Sequence, residues 1–219
     1  REVMLQRLES YITQVITHFE EKFPSVVYCW DVVNEAVGEG SEFDPTDPRH
    51  IRTTRSGVSN VFYDTIGSDY VEYAFLYARN TVDALGADIR LFYNDYNEYS
   101  PNKQAYIISD ILKPLVEKNL IDGVGMQSHI SMSYPTIDLY KSAMQQYADL
   151  GLEVQVTDLD VSEKSNEYAN QLALAQRYQD VFKMYKEMKD SGVNLSAVVI
   201  WGITDSTSWI GGYPLLDRK

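Results

Sequence analysis

The chain has 219 residues, 44% hydrophobic and 23% charged, with 12 Gly and 7 Pro, which excludes a disordered, collagen-like or low-complexity polymer. Its 32 Asp+Glu against 19 Lys+Arg give a net charge of −13, an unsuitable face for nucleic acid or anionic lipid. No stretch approaches the roughly 18 consecutive apolar residues of a membrane span.

Leu5, Leu8, Tyr11, Ile12, Val15, Ile16 and Phe19 recur at three- and four-residue spacing and predict a helix over Glu2–Lys22, ended by Phe23-Pro24-Ser25. Val26–Val33 is a β-branched and aromatic run without alternation, the pattern of a strand buried on both faces. It contains Cys29, the single cysteine, which excludes an internal disulfide framework and reads as an inert buried thiol. Val37–Ser68, with its Gly, Pro, Asp and Ser, predicts a long loop with a short helix near Asn60–Tyr63. Tyr70–Leu85 then predicts a helix stopped by Gly86, Ile89–Tyr93 a strand, and Asn102–Asn119 a helix kinked at Pro114. Gly123–Gln127 reads as a strand and Ile137–Leu150 as a helix ended by Gly151. Glu153–Leu159 is the next strand, Glu167–Asp190 a long helix ended by Gly192, and Ala197–Trp201 the last strand.

Strict alternation of strand and helix argues an α/β fold with a parallel sheet and right-handed crossovers. A doubly wound sheet and a closed barrel both fit that pattern. Two features favour the barrel. Polar residues gather at strand C-terminal ends (Asn34, Glu35, Asn94, Gln127, His129, Asp158, Asp205), and no Gly-rich phosphate fingerprint follows the first strand. At roughly 40 residues per unit, an eight-unit barrel needs on the order of 100 residues more. The expectation is therefore a (β/α)8 TIM barrel of which residues 1–219 supply units four to eight, truncated at both ends, with the first three strands missing.

Two strand ends carry acids, Trp30-Asp31-Val32-Val33-Asn34-Glu35-Ala36 and Val156-Thr157-Asp158-Leu159-Asp160. In a parallel barrel both would reach the same rim. Paired carboxylates across a groove suit glycoside cleavage, one protonating the leaving oxygen and the other attacking or activating water. Taken singly, each acid suits a helix cap or a solvated loop equally well. The histidines and acids lack metal-ligand spacing, so no metal is expected.

Trp30–Ala36 resembles the acid/base signature of glycoside hydrolase family 10, the retaining endo-β-1,4-xylanases. The likeness continues through Tyr93-Asn94-Asp95-Tyr96-Asn97, Gly123-Val124-Gly125-Met126-Gln127-Ser128-His129, Thr157-Asp158-Leu159-Asp160 and Trp201-Gly202-Ile203-Thr204-Asp205 with Trp209. The resemblance implies a single catalytic domain hydrolysing internal bonds of xylan by double displacement, without metal or organic cofactor. Glu35 would be the acid/base, its pKa raised by desolvation in an aromatic-lined cleft. Asp158 would occupy the nucleophile position, and His129 would hydrogen-bond it. Asn34, Tyr93, Asn94, Gln127, Trp201 and Trp209 would bind the sugar, the tryptophans by stacking. Trp30 and Asp31 read as supporting the site from behind or as core, and Asp160 as pairing within the barrel. His18 and His50 carry no assignment. The expected partners are xylan and xylo-oligosaccharides, with a carbohydrate-binding module attached in some family members. A polymer substrate implies action outside the cytoplasm, at the cell surface, in the periplasm or beyond.

One position departs from the family, whose nucleophile is glutamate. Asp158 is shorter by one methylene, which withdraws its carboxylate by roughly 1.3–1.5 Å. Retaining enzymes hold their carboxylates about 5–5.5 Å apart and inverting ones about 6.5–9.5 Å, so aspartate pushes the site toward the gap between them. Three readings follow: an engineered near-inactive variant, a natural slow or altered hydrolase, and a catalytically silent xylan-binding barrel. A cellulase-like glycosidase of the same clan is the runner-up among enzymes.

Overall fold

The computed structural model describes residues 1–163, 165, 167–212 and 214. They form two compact units, one from residues 1–95 and 105–123, the other from residues 96–104 and the described residues from 124 onward.

In the first unit, helix α1 (Glu2–Lys22) has the expected bounds and turns Leu8 and Ile16 inward. The following strand β1 starts at Cys29 and ends at Asn34, later than the apolar run suggests. Ser25 turns through φ 61° and the Val26 amide donates to the Phe23 carbonyl at 3.1 Å, which closes a turn and leaves Val26 73% exposed. The stretch read as loop is an ordered ladder. Gly38 N–H donates to His50 O and Arg52 N–H to Ala36 O, with bridges Val37↔Ile51 and Phe43↔Arg52. A small antiparallel hairpin follows, β2 (Thr54–Arg55) with β3 (Val58–Ser59). Helix α2 (Val61–Ile66) is capped by Asn60, whose side chain accepts from the amides of Phe62 and Tyr63. Helix α3 (Tyr70–Leu85) again has the expected bounds, because Gly86 supplies the left-handed cap at φ 63°. It packs against α1.

Strand β4 (Arg90–Asp95) pairs in parallel with β1 from Cys29↔Arg90 to Asn34↔Asn94, with a bulge between Asp31 and Val33. Leu91–Asp95 are all buried, whereas within β1 only Val33 is. The expectation of a first strand buried on both faces does not hold, since in this unit β1 has a ladder partner on one side only.

The helical stretch expected over Asn102–Asn119 runs in three pieces: α4 (Pro101–Tyr106), a π-helical turn (Ile107–Leu112) and α5 (Lys113–Glu117). The irregularity precedes Pro114. Proline has no N–H for the carbonyl four residues back and its ring clashes with that carbonyl; a wider turn upstream relieves both.

In the second unit, strand β5 (Gly123–Met126) is followed by β6 (His129–Ser131), helix α6 (Ile137–Ala148), strand β7 (Glu153–Ser162), helix α7 (Tyr168–Asp190) and strand β8 (Leu195–Ile200). β7 lies next to β5 and pairs in parallel with β8 along its first half and with β6 from His129↔Asp160 to Ser131↔Ser162. That second pairing explains why β7 extends beyond Leu159. The core holds Val154, Val156, Leu159 and Val161 of the strand against Tyr140, Met144, Leu174 and Val181 of the helices, all without exposed surface. The buried Arg177 guanidinium donates to the carbonyls of Ser131 (3.2 Å) and Pro135 (2.6 Å), tying the loop after β6 to α7. No helix among the described residues is long and apolar enough to cross a membrane.

Candidate active site

Both units bring candidate residues to strand C-terminal ends, and three of those ends turn through a non-glycine residue in the left-handed region: Glu35 (φ 56°), Asn97 (φ 52°) and Ser128 (φ 64°). Such conformations are sparsely populated away from glycine and gather at functional sites.

In the first unit, β1 and β4 align Asn34 with Asn94, whose Nδ2 donates to Asn34 Oδ1 at 3.1 Å. The Glu35 amide extends the ladder by donating to Asn94 O at 2.8 Å, and its side chain then leaves the strand through the left-handed turn. The Glu35 carboxylate is 15% exposed. Two guanidiniums reach it, Arg52 at 3.5 Å and Arg55 of the hairpin in closer contact. The buried Arg52 is in turn fixed by Glu42 at 3.1 Å and by the Val37 carbonyl at 3.3 Å. The aromatic lining expected around Glu35 is thus joined by cations from the stretch read as loop. Nothing in residues 37–68 singles out Arg52 and Arg55 by periodicity or motif, so their role emerges only once the ladder folds back. A cavity of about 680 Å³ opens beside Asn34, Glu35, Arg52 and Arg55, with Phe62 and Tyr70 in its wall.

Tyr93 requires a correction. Expected among the sugar-binding residues, it has no exposed surface. Its hydroxyl accepts from the amides of Ala36 (3.0 Å) and Val37 (3.2 Å) and donates to Asp95 in a short contact. Burial, then the Asp95 charge, pushes this phenol well above its ordinary pKa, so it stays a donor to the carboxylate. The reason is strand geometry: β4 is buried from Leu91 to Asp95, and the Tyr93 ring fills the core beneath the turn that carries Glu35. Tyr93→Phe is expected to destabilise the protein by about 1–3 kcal/mol, because two buried amides lose their acceptor. A drop in the urea midpoint at unchanged slope checks this.

In the second unit, His129 pairs across the ladder with Asp160, its Nδ1 2.8 Å from Asp160 Oδ1. Trp209 Nε1 donates to the other oxygen, Asp160 Oδ2, at 2.8 Å, and the Trp209 and His129 rings meet edge to face with centroids 4.9 Å apart. Asp160 has no exposed surface; two donors compensate its burial. The sequence reading paired His129 with Asp158. The β6–β7 register instead sets His129 opposite Asp160, two residues further along the strand. Asp158 is half-buried, and its amide donates to Gln127 O at 3.1 Å, so these two candidates are joined through the backbone. Gln127 is buried, Trp201 is half exposed with its amide on Leu159 O, and Trp209 is 64% exposed. Both tryptophans therefore offer faces for stacking. No cluster of His, Cys, Asp and Glu fit to hold a metal ion occurs among the described residues. His50, which carried no assignment, stacks on Tyr106 and hydrogen-bonds Asp110 at 2.8 Å, a structural role.

The family model described as glycosyl hydrolase family 10 matches residues 1–218. The chain is 37% identical to endo-1,4-beta-xylanase B of Butyrivibrio fibrisolvens over 97% of its length and 36% identical to endo-1,4-beta-xylanase of Geobacillus stearothermophilus over all of it. It covers 31% and 62% of those two proteins, so it spans less than two thirds of the curated relatives it matches. Among solved structures, the CBM22-1–GH10 modules of Clostridium thermocellum endo-1,4-beta-D-xylanase 10B, complexed with xylohexaose, superpose with a TM-score of 0.84 at 35% identity, covering 99% of this chain and 43% of that one. An intracellular xylanase from Thermoanaerobacterium saccharolyticum superposes with a TM-score of 0.80 at 33% identity, covering 99% and 62%. The fold is accordingly α/β, a part of the TIM barrel that the alternation suggests. Matched by this family model over residues 1–218, the chain belongs to glycosyl hydrolase family 10.

Proposed function

We propose that this chain is catalytic-domain sequence of an endo-1,4-β-xylanase that hydrolyses internal bonds of xylan by retaining double displacement, slowed by aspartate at the nucleophile position. The observation that carries the reading is the family match over residues 1–218, together with Glu35 at the end of β1 and Asp158 within β7. Glu35 acts as acid/base and Asp158 stands where the nucleophile would be. Gln127, Asn34 and Asn94 hydrogen-bond sugar hydroxyls, and Trp201 and Trp209 stack on the ring, a mode suited to a neutral, hydroxyl-rich ligand. The Clostridium thermocellum relative was solved with xylohexaose, which supports xylo-oligosaccharide as the ligand class, and it carries a CBM22 module, which supports a carbohydrate-binding module as a companion.

The test is hydrolysis of xylan beside β-glucan, with the anomeric configuration of the first product followed by NMR. Retained configuration and a preference for xylan are expected. Inverted product would overturn double displacement, and equal or greater action on β-glucan would favour the cellulase-like reading. A second reading, a xylan-binding barrel without turnover, is favoured specifically by Asp158, the residue that departs from the family's glutamate.

A further inference from the structure

The strand end that holds Gln127 and His129 rests on a buried polar network that the proposed reaction does not use directly. Ser128, between them, has no exposed surface and stands at φ 64°. Glu98, also without exposed surface, accepts from the Ser128 amide at 3.1 Å and from its hydroxyl at 3.2 Å. The same hydroxyl meets Tyr140 Oη, which lies 2.8 Å from Tyr185 Oη. Glu98 is itself anchored, since its carbonyl accepts from Tyr147 Oη at 2.7 Å. The next residue, Tyr99, donates its hydroxyl to the His129 carbonyl at 2.7 Å.

A serine persists in the left-handed region where its surroundings over-determine it. Here the Ser128 amide donates to one Glu98 oxygen, Oε1, and the Ser128 hydroxyl has its proton between that oxygen at 3.2 Å and the Met126 carbonyl at 3.0 Å. The kink they hold ends β5 at Met126 and restarts pairing at His129, in the register that sets the imidazole against Asp160. A continuous strand through Ser128 would shift side-chain alternation by the kink and aim His129 elsewhere. On the xylanase reading above, we propose that Glu98 is a positioning residue: through Ser128 it fixes the direction of the His129 imidazole, and Tyr99 holds the same residue from its carbonyl side.

The test uses Glu98→Ala, Glu98→Gln and Tyr99→Phe, with two readouts. The first is the low-field NMR resonance of the His129 ring N–H bonded to Asp160, assigned by its disappearance in His129→Ala. The second is kcat and KM on xylan. Glu98→Ala is expected to broaden or shift the resonance and, because Gln127 adjoins the same kink and its carbonyl accepts from the Asp158 amide, to lower kcat about ten- to a hundredfold, as a displacement on the order of 1 Å does, with KM changed less than about threefold. Glu98→Gln keeps an acceptor oxygen and is expected to retain the resonance and most of kcat. A folded Glu98→Ala with unchanged resonance and kcat overturns the proposal. Should Glu98→Ala fail to fold, Tyr99→Phe and Glu98→Gln decide it. A shifted resonance in Tyr99→Phe with rescue in Glu98→Gln supports positioning, and an unmoved resonance in Tyr99→Phe, or a Glu98→Gln resonance lost despite folding, refutes it. Silence on xylan of both the parent and Asp158→Glu would defeat the xylanase reading, and the resonance would still report on Glu98.

Discussion

Asp158→Glu is expected to raise reducing-sugar release from xylan by about 10²-fold or more, roughly 2.7 kcal/mol of barrier. Covalent attack needs reacting atoms about 3–3.5 Å apart, and one missing methylene withdraws the carboxylate by about 1.3–1.5 Å. The backbone cannot make up that distance cheaply. Asp158 lies inside β7, a strand paired with both β6 and β8, and its amide is bonded to Gln127 O. Reach must therefore come from the side chain. The measurement is a side-by-side assay of the two forms at equal concentration. An active parent with an inert Asp158→Glu would remove Asp158 from the nucleophile position. Silence in both forms, with xylan still bound, would replace the hydrolase with the binding barrel.

Glu35→Ala is expected to cut xylan turnover about 10²–10⁴-fold, the usual range for loss of a general acid–base group. The loss should shrink on aryl xylosides with acidic phenols, because such a leaving group departs without a proton. Glu35 is also the base of the second displacement, so the comparison is made on kcat/KM, where an equal loss on both substrates would mean that Glu35 does not protonate the leaving oxygen. The left-handed turn at Glu35 is held by the β1–β4 ladder and by the Tyr93 hydroxyl on the next two amides, so truncating the side chain should leave the turn in place. Circular dichroism matching the parent protein would show that the loss is chemical.

The elements with strong local signals were legible. Helices α1 and α3 have the bounds that periodicity and the Gly86 stop predict, and the five expected strands fall on their apolar runs to within a few residues, whereas β2, β3 and β6 carry no such run and were not expected. Their ends were less legible. Val26 reads as strand by composition yet sits in a turn, and Pro114 announces a kink that the chain takes one turn earlier, as a π-helix. The candidate site divides the same way. Glu35, Asp158, Gln127 and His129 stand out because chemistry demands those residue types at strand ends, and a motif preserves their neighbours. Tyr93, expected to bind the sugar, is instead a buried acceptor for the Ala36 and Val37 amides.

Residue type, spacing and the alternation of strand and helix are local properties, and from them the sequence alone determined the α/β class, the order of elements and the acids worth testing. Only the tertiary structure decided which partner each acid meets. His129 meets Asp160 across 31 residues, Tyr93 meets the Ala36 and Val37 amides across nearly 60, and Arg52 and Arg55 reach Glu35 from a ladder that resembles a loop. These contacts depend on sheet register and on left-handed turns at Glu35 and Ser128. A one-residue shift in register exchanges the faces of a strand, and no side chain near those turns carries a local signal of which face it will take.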